Sequence, residues 1–211
     1  MTVVGIVPAA GRGERLGSDR PKAFVACAGR PLIEWSLDVL RAVCDRVVVA
    51  VPPGMSYPDS VEGGSVRSDS VRRALAAAPE ATVAVVHDAA RPLLTRGLVE
   101  RCIAGLEGGF DGAIAASPVI DTIKQADADR RVTRTLDRST LWAIQTPQVF
   151  RADVLRRALT VPESTLSAAT DDASLVEAAG GSVRVVEARA ENFKVTGPAD
   201  LARAALALRA S

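Results

Sequence analysis

The chain has 211 residues, 48% hydrophobic, 24% charged and only 3% aromatic, with a net charge of +1. That balance suits one globular domain whose core is filled by Ala, Val and Leu, and it gives no electrostatic footprint for nucleic acid. No apolar run of about 18 residues and no basic-then-apolar leader occurs, so a cytoplasmic protein with no membrane span is expected.

In chain order, Thr2 to Pro8 is a short β-rich apolar run closed by proline, as in a buried strand. Ala9 to Lys22 is a loop rich in glycine and charge. Cys27, Cys44 and Cys102 are widely spaced, with no C-x-x-C or Cys/His metal spacing, and read as buried free thiols. Pro31 stands where the first residue of a helix is expected, ahead of Ile33, Leu37, Leu40 and Cys44 at helical spacing. Arg46 to Val51 predicts a second buried strand, Pro52 to Gly64 a loop, Ser70 to Ala78 a helix, and Val83 to Val86 a third strand. A helix over 95–106 precedes a fourth strand over 112–116. From Pro118 to Trp142, β-branched and polar residues (Thr122, Ile123, Val132, Thr133, Thr135) flank a polar turn at Asp127-Ala128-Asp129. This pattern predicts a hairpin arm projecting from the body. Helices near 151–159 and 170–179, a strand over 182–186 and a helix from about Pro198 complete the chain. Alternating strands and helices imply one α/β domain over 1–211: a Rossmann-like three-layer sandwich around a mostly parallel sheet, plus the β-arm at about 118–142. Its ligands should sit beyond the carboxyl ends of the strands.

The loop after the first strand, Pro8-Ala9-Ala10-Gly11-Arg12-Gly13-Glu14-Arg15-Leu16-Gly17 running on to Arg20-Pro21-Lys22, carries a phosphate-binding pattern. Small residues let backbone N–H groups approach a phosphate, and Arg15 and Lys22 add charge. It is no Walker A loop, and Leu16 and Pro21 break the dinucleotide fingerprint. Only three of the 26 basic residues are lysine, namely Lys22, Lys124 and Lys194. Lysine binds phosphate as a compact point charge, which makes its sparing use notable.

P-A-A-G-x-G-x-R followed by P-K resembles the signature of sugar-nucleotide-type nucleotidyltransferases. More narrowly, the chain resembles the 2-C-methyl-D-erythritol 4-phosphate cytidylyltransferase family of the non-mevalonate isoprenoid pathway. Gly63 to Val71, Val86-His87-Asp88-Ala89-Ala90-Arg91-Pro92, Asp121 to Lys124, Leu136-Asp137-Arg138, Gln145-Thr146-Pro147-Gln148, Thr170 to Ser174 and Asn192 to Thr196 fit the same family in order. The resemblance implies the nucleotide-diphospho-sugar transferase type of fold and transfer of CMP from CTP to a small sugar-alcohol phosphate. It implies that Ala9, Ala10, Gly11, Gly13, Arg15 and Lys22 wrap the triphosphate, and that Gly64 and Ser70 line the base and ribose pocket. Asp88 would hold Mg²⁺ with phosphate oxygens. Arg91, Thr122, Arg138, Thr146, Thr170, Lys194 and Asp88 would surround the acceptor. Arg15, Lys22 and Lys194 would offset charge during the reaction. The arm, with Thr122 and Arg138, would reach into a second subunit's site, which implies a homodimer.

Plainer readings stand beside these. His87 is expected to be structural, because an anionic phosphate nucleophile needs no general base. Asp88 could be a helix N-cap, although Pro92 makes that a poor helix start. Asp171 and Asp172 could be first-turn acids after Thr170 as cap. Trp35 and Trp142 are expected to pack, and Lys124 to lie on the surface. Serine at position 65, where the family often has an acid, and the short stretch from Val51 to Gly63 depart from the family pattern. No second C-terminal domain, and hence no fused cyclodiphosphate synthase, is expected. Ribitol 5-phosphate cytidylyltransferase, a nucleotidyltransferase using another base, a non-catalytic nucleotide-binding regulator and a dinucleotide-dependent oxidoreductase are the rival functions.

Overall fold

A computed structural model describes residues 1–11 and 20–210 of the chain. Gly13 and Arg15 fall in the stretch 12–19, outside the described residues. The elements in order are β1 (Val3–Pro8), a short hairpin of β2 (Ala26–Cys27) and β3 (Arg30–Pro31), α1 (Leu32–Arg41), β4 (Arg46–Val51), β5 (Ser60–Glu62), α2 (Arg67–Ala76) and β6 (Val83–Val86). Then come α3 (Arg96–Ala104), β7 (Gly112–Pro118), β8 (Lys124–Ala126), β9 (Val132–Thr135) and β10 (Trp142–Arg151). The chain closes with α4 (Ala152–Ala158), α5 (Glu163–Ala168), α6 (Asp172–Ala178), β11 (Val183–Glu187) and α7 (Pro198–Arg209).

Seven strands form one sheet in the order β11-β7-β10-β6-β1-β4-β5. Every pairing is parallel except those of β10, which runs antiparallel to both β6 and β7. The central strands are buried on both faces, so they read as continuous Val-rich runs rather than as alternating ones. Successive side chains point to opposite faces. Val3 and Val7 therefore join Ile33, Leu37, Leu40, Leu98 and Val99 beneath α1 and α3. Val4 and Ile6 join Val71, Leu75, Leu155, Leu166 and Val176 beneath α2, α4, α5 and α6. These are the three layers expected from the sequence.

Packing, more than capping, fixes the helices. α1 has no side-chain N-cap bond, yet it buries Leu32, Ile33, Leu37 and Leu40 completely. Each such side chain contributes about 1.5–3 kcal/mol, against about 1 kcal/mol for a good cap. A smaller cluster of Cys27, Leu32, Val195 and Ala204 seats α7 over the β2–β3 hairpin, so the segment before α7 is held near the ends of the central strands. No helix among the described residues is long and apolar enough to cross a membrane.

Several elements differ from the sequence expectation. Pro31 pairs in β3 and occupies the N-cap of α1, one position earlier than the helical proline expected. The proline-rich stretch Pro52 to Gly64 contains the edge strand β5, and α2 begins at Arg67 rather than near Ser70. β10 was not legible, because Gln145, Thr146, Pro147 and Gln148 interrupt its apolar pattern. Its pairing with β7 breaks register between Ile144 and Gln148, and Pro147, which has no N–H to donate, sits in that break. The hairpin arm is present as β8 paired with β9 and is exposed throughout. At its base Trp142 is 38% exposed rather than packed, whereas Trp35 donates its indole N–H to the Cys27 carbonyl.

Candidate active site

The carboxyl ends of β1, β5 and β6 open into a cleft of about 840 Å³. β1 delivers Ala9, Ala10 and Gly11 to one wall, and Lys22 follows on the short helical turn Lys22–Phe24. The opposite wall is Gly63 to Ser70, the turn between β5 and α2. Its shape requires glycine. A Cβ on Gly63 would collide with the Ala10 Cβ, and one on Gly64 with the Asp69 carboxylate. Ser70 fixes the same turn, accepting from the Gly64 N–H at 3.1 Å and donating to the Val66 carbonyl at 3.1 Å. The two main-chain segments are thus packed against each other at Gly63 and Ala10, at the edge of the cleft.

Asp88 forms part of the cleft lining, just past the end of β6 and 8% exposed. Lys194 Nζ donates to its Oδ2 at 2.6 Å, and Arg67 Nε donates to its Oδ1 at 2.9 Å. Burial disfavours the charged carboxylate, but Arg67 and Lys194 outweigh it and hold the group well below the usual carboxylate range. Arg67 reaches further: Nη1 donates to Oδ2 of fully buried Asp172 at 2.6 Å. Complete burial pushes the Asp172 carboxyl upward, with Arg67 opposing. A chain of alternating charges, Asp172, Arg67, Asp88 and Lys194, therefore runs from the core to the cleft.

His87 and Thr146 support Asp88 from behind. The Asp88 N–H donates to Thr146 Oγ1 at 3.0 Å, and that hydroxyl lies 3.1 Å from His87 Nδ1. His87 Nε2 lies 3.1 Å from the Arg91 carbonyl, which has no proton to give. Nε2 must therefore carry the hydrogen, and Nδ1 accepts from Thr146. Burial drives the His87 pKa down to about 4, so the ring is neutral and structural, as its sequence context suggested. The Asn192 amide, 4% exposed, donates to Gln145 Oε1 and to the Thr146 carbonyl, both at 2.8 Å. Arg91 Nη1 donates to the Asn192 carbonyl at 2.8 Å, and the Val195 N–H to the Ala90 carbonyl at 2.8 Å. These bonds lace the segment carrying Lys194 to the segment carrying Asp88.

Of the described residues named from the sequence, Ala9, Ala10, Gly11, Lys22, Gly64, Ser70, Asp88 and Lys194 meet in the cleft. Arg91 and Thr146 lie directly behind it, buried, with their polar groups turned to the network just described. Thr170 is exposed, and Asp171, not Thr170, caps α6 by accepting from the Ser174 N–H. Thr122 and Arg138 are exposed on the arm, where Arg138 donates to the Ile120 carbonyl. Lys124 also lies on the arm surface, bonded to Thr135 Oγ1 at 2.7 Å.

Sequence reasoning assigned no site role to Arg67, Asn192, Gln145 or Gln148, and read Asp172 only as a first-turn acid, where the structure indeed places it. Gln148 joins two motifs, donating to Asp171 Oδ2 at 2.8 Å and accepting from the Ala173 N–H at 3.3 Å. A signal for Arg67 existed: a basic side chain opening a helix opposes the helix dipole and needs acidic compensation.

A family profile for 2-C-methyl-D-erythritol 4-phosphate cytidylyltransferase (IspD) matches residues 3–210. The chain is 45% identical to the protein of that name from Nocardia farcinica, over 95% of this chain and 91% of the relative. It is 46% identical to the one from Frankia casuarinae, over 94% and 78%. The crystal structure of the Thermus thermophilus protein of that name superposes with a TM-score of 0.84 at 39% identity, covering 99% of this chain and all of that one. A matching motif order, a matching sheet and whole-length similarity converge, and the chain belongs to the 2-C-methyl-D-erythritol 4-phosphate cytidylyltransferase family.

Proposed function

We infer that the chain is a cytidylyltransferase of the non-mevalonate isoprenoid pathway, transferring CMP from CTP to 2-C-methyl-D-erythritol 4-phosphate with release of pyrophosphate. Among the structural observations, the one that carries this reading is the Asp88–Lys194 pair at 2.6 Å, set between the small-residue end of β1 and the Gly63–Gly64 turn. An acceptor phosphate oxygen attacks the α-phosphorus of CTP, so catalysis consists of bringing anions together and neutralising them. In this reading Ala9, Ala10, Gly11 and Lys22 hold the triphosphate, as do Gly13 and Arg15. Gly64 and Ser70 bound the cytosine and ribose. Lys194 leaves Asp88 to sit between acceptor phosphate and α-phosphate. Arg91, Thr146 and Thr170 shape the acceptor side.

Magnesium fits as a proposal with Asp88 as its single protein ligand. The carboxylate is held anionic, and its lone pairs exceed the two used by Arg67 and Lys194. Among the described residues no group of three His, Cys, Asp or Glu side chains could hold a metal, so phosphate oxygens and water would supply the other positions. When bound, the ion supplies neutralisation of phosphate charge.

The homodimer is likewise proposed. Ile120, Val132, Trp142 and Ile144 are 76%, 57%, 38% and 41% exposed on the arm and its base, apolar side chains that a second copy would cover. Arg138 and Thr122 would then complete the partner's acceptor site. A cytoplasmic location accords with three buried free thiols.

The test is pyrophosphate release with Mg²⁺ and CTP, comparing methylerythritol 4-phosphate with ribitol 5-phosphate and using UTP as the control nucleotide. Release with CTP and methylerythritol phosphate alone is expected. Equal release with ribitol phosphate would transfer the acceptor assignment to the rival, and silence with every pair would overturn the activity.

A further inference from the structure

Arg67 breaks a local rule. It is the first residue of α2, whose N-cap Val66 makes no side-chain bond, and a cation there faces the positive end of the helix dipole. Such violations cluster at functional positions, where another requirement overrides local preference. Here the requirement is visible. The guanidinium spans two carboxylates from distant elements, Asp88 past the end of β6 at 2.9 Å and Asp172 in the first turn of α6 at 2.6 Å.

Asp172 is an expensive residue if its task is only to join helices. It is 0% exposed, and its Oδ1 has no hydrogen-bond partner among the described residues. A buried carboxylate left half-satisfied is costly, so an uncharged pair would join α2 to α6 better. The charge makes sense as a brace for Arg67. The two cations on Asp88 also differ in kind. Arg67 is held by both carboxylates with its side chain 28% exposed, whereas Lys194 is 42% exposed and, among the described residues, bonds Asp88 alone from a flexible stem. When anionic phosphates enter the cleft, Lys194 is the partner able to swing toward them and Arg67 the partner that stays.

We propose that Arg67, braced by buried Asp172, is a positioning residue for CMP transfer: it fixes one oxygen of Asp88 while the other exchanges between Lys194 and the incoming ligands. This rests on the function proposed above and adds a residue pair to it.

The test uses the full chain as native protein, Arg67→Lys, Asp172→Asn and the double variant. Pyrophosphate release gives kcat and KM, calorimetry measures CTP binding without acceptor, and thermal unfolding monitors folding. A lysine cannot span both carboxylates. Arg67→Lys is therefore expected to lower kcat about 100-fold, the scale of a 1 Å misplacement, with KM and Kd for CTP changed less than about threefold. Asp172→Asn is expected to lower kcat about tenfold. The double variant should be no slower than Arg67→Lys alone, because the two residues act as one unit. A folded Arg67→Lys with kcat within twofold of native overturns the proposal, as does a double variant whose losses multiply. Should Arg67→Lys fail to fold, native kcat in Asp172→Asn overturns it equally. Silence from the native chain would overturn the proposed activity and this inference together, which separates that failure from activity that simply survives the substitutions.

Discussion

The neutral histidine behind Asp88 makes the stability of the chain depend on pH in a way that one substitution isolates. His87 accepts from the Thr146 hydroxyl and donates to the Arg91 carbonyl, and its pKa falls from 6.5 to about 4 because it is buried. A histidine with a depressed folded pKa binds its proton more readily when unfolded. Stability is therefore lost as pH drops below the unfolded value and levels off near the folded one. Protonation would also turn Nδ1 into a donor facing a hydroxyl that already donates to it. Moving from about pH 7 to about pH 4.5 therefore removes stability on the order of 2 kcal/mol through this residue alone. Glutamine cannot titrate, but its amide can still donate to the Arg91 carbonyl. His87→Gln is expected to cost about 1–2 kcal/mol at neutral pH for the lost link to Thr146. It should then lose less than native protein on acidification, by an amount on the order of 2 kcal/mol, since all other titrating groups are shared. With a urea slope on the order of 2 kcal/mol/M, the native midpoint falls by about 1 M more than the variant midpoint. Equal shifts in the two proteins would refute the buried neutral assignment.

Three further outcomes are expected. Gly64→Ala places a Cβ against the Asp69 carboxylate, so thermal unfolding should show a loss of about 1–3 kcal/mol together with weaker CTP binding; unchanged values in both would remove the turn from the site. Burial pushes the Cys44 and Cys102 thiols up to about 12 and raises Cys27 as well, so no thiol should react with a disulfide reagent at neutral pH until urea exposes all three. Rapid labelling of the folded chain would contradict that packing. Ile120→Asp on the arm should shift sedimentation from dimer to monomer and lower activity with it; an unchanged assembly would take the arm out of any interface.

The fold was legible wherever a strand is buried on both faces or a helix shows one apolar stripe. Continuous valine-rich runs cannot sit comfortably in water, and the segments Arg46–Val51 and Val83–Val86 announce themselves in that way. β10 was not legible for the opposite reason. Its middle is spent on polar ties, with Gln145, Thr146 and Gln148 all buried and all bonded to other segments. The residues that join the site's parts erase the strand's periodicity. β5 failed differently: three residues on a sheet edge, none of them buried, carry too little pattern to compete with the prolines before them.

The site was legible in its letters and illegible in its closures. Asp88, Lys22 and Lys194 could be named from motif context, but the contacts that tie Asp88, Arg67, Asp172 and Lys194 together span separations of 21 to 106 residues, which no local pattern encodes. The choice between arginine and lysine nevertheless carried usable information. Arg67 and Arg91 each reach two acceptors on different segments, and both contacts of each are made within the protein. Lys194, one of only three lysines, bonds Asp88 from the cleft side. A planar fork suits a bond that must hold, and a flexible ammonium suits one that must be given up when phosphate arrives. In a chain that otherwise uses arginine, a lysine in the cleft marks the exchangeable contact, and Arg67 and Arg91, each bonded to two segments, mark the frame against which it moves.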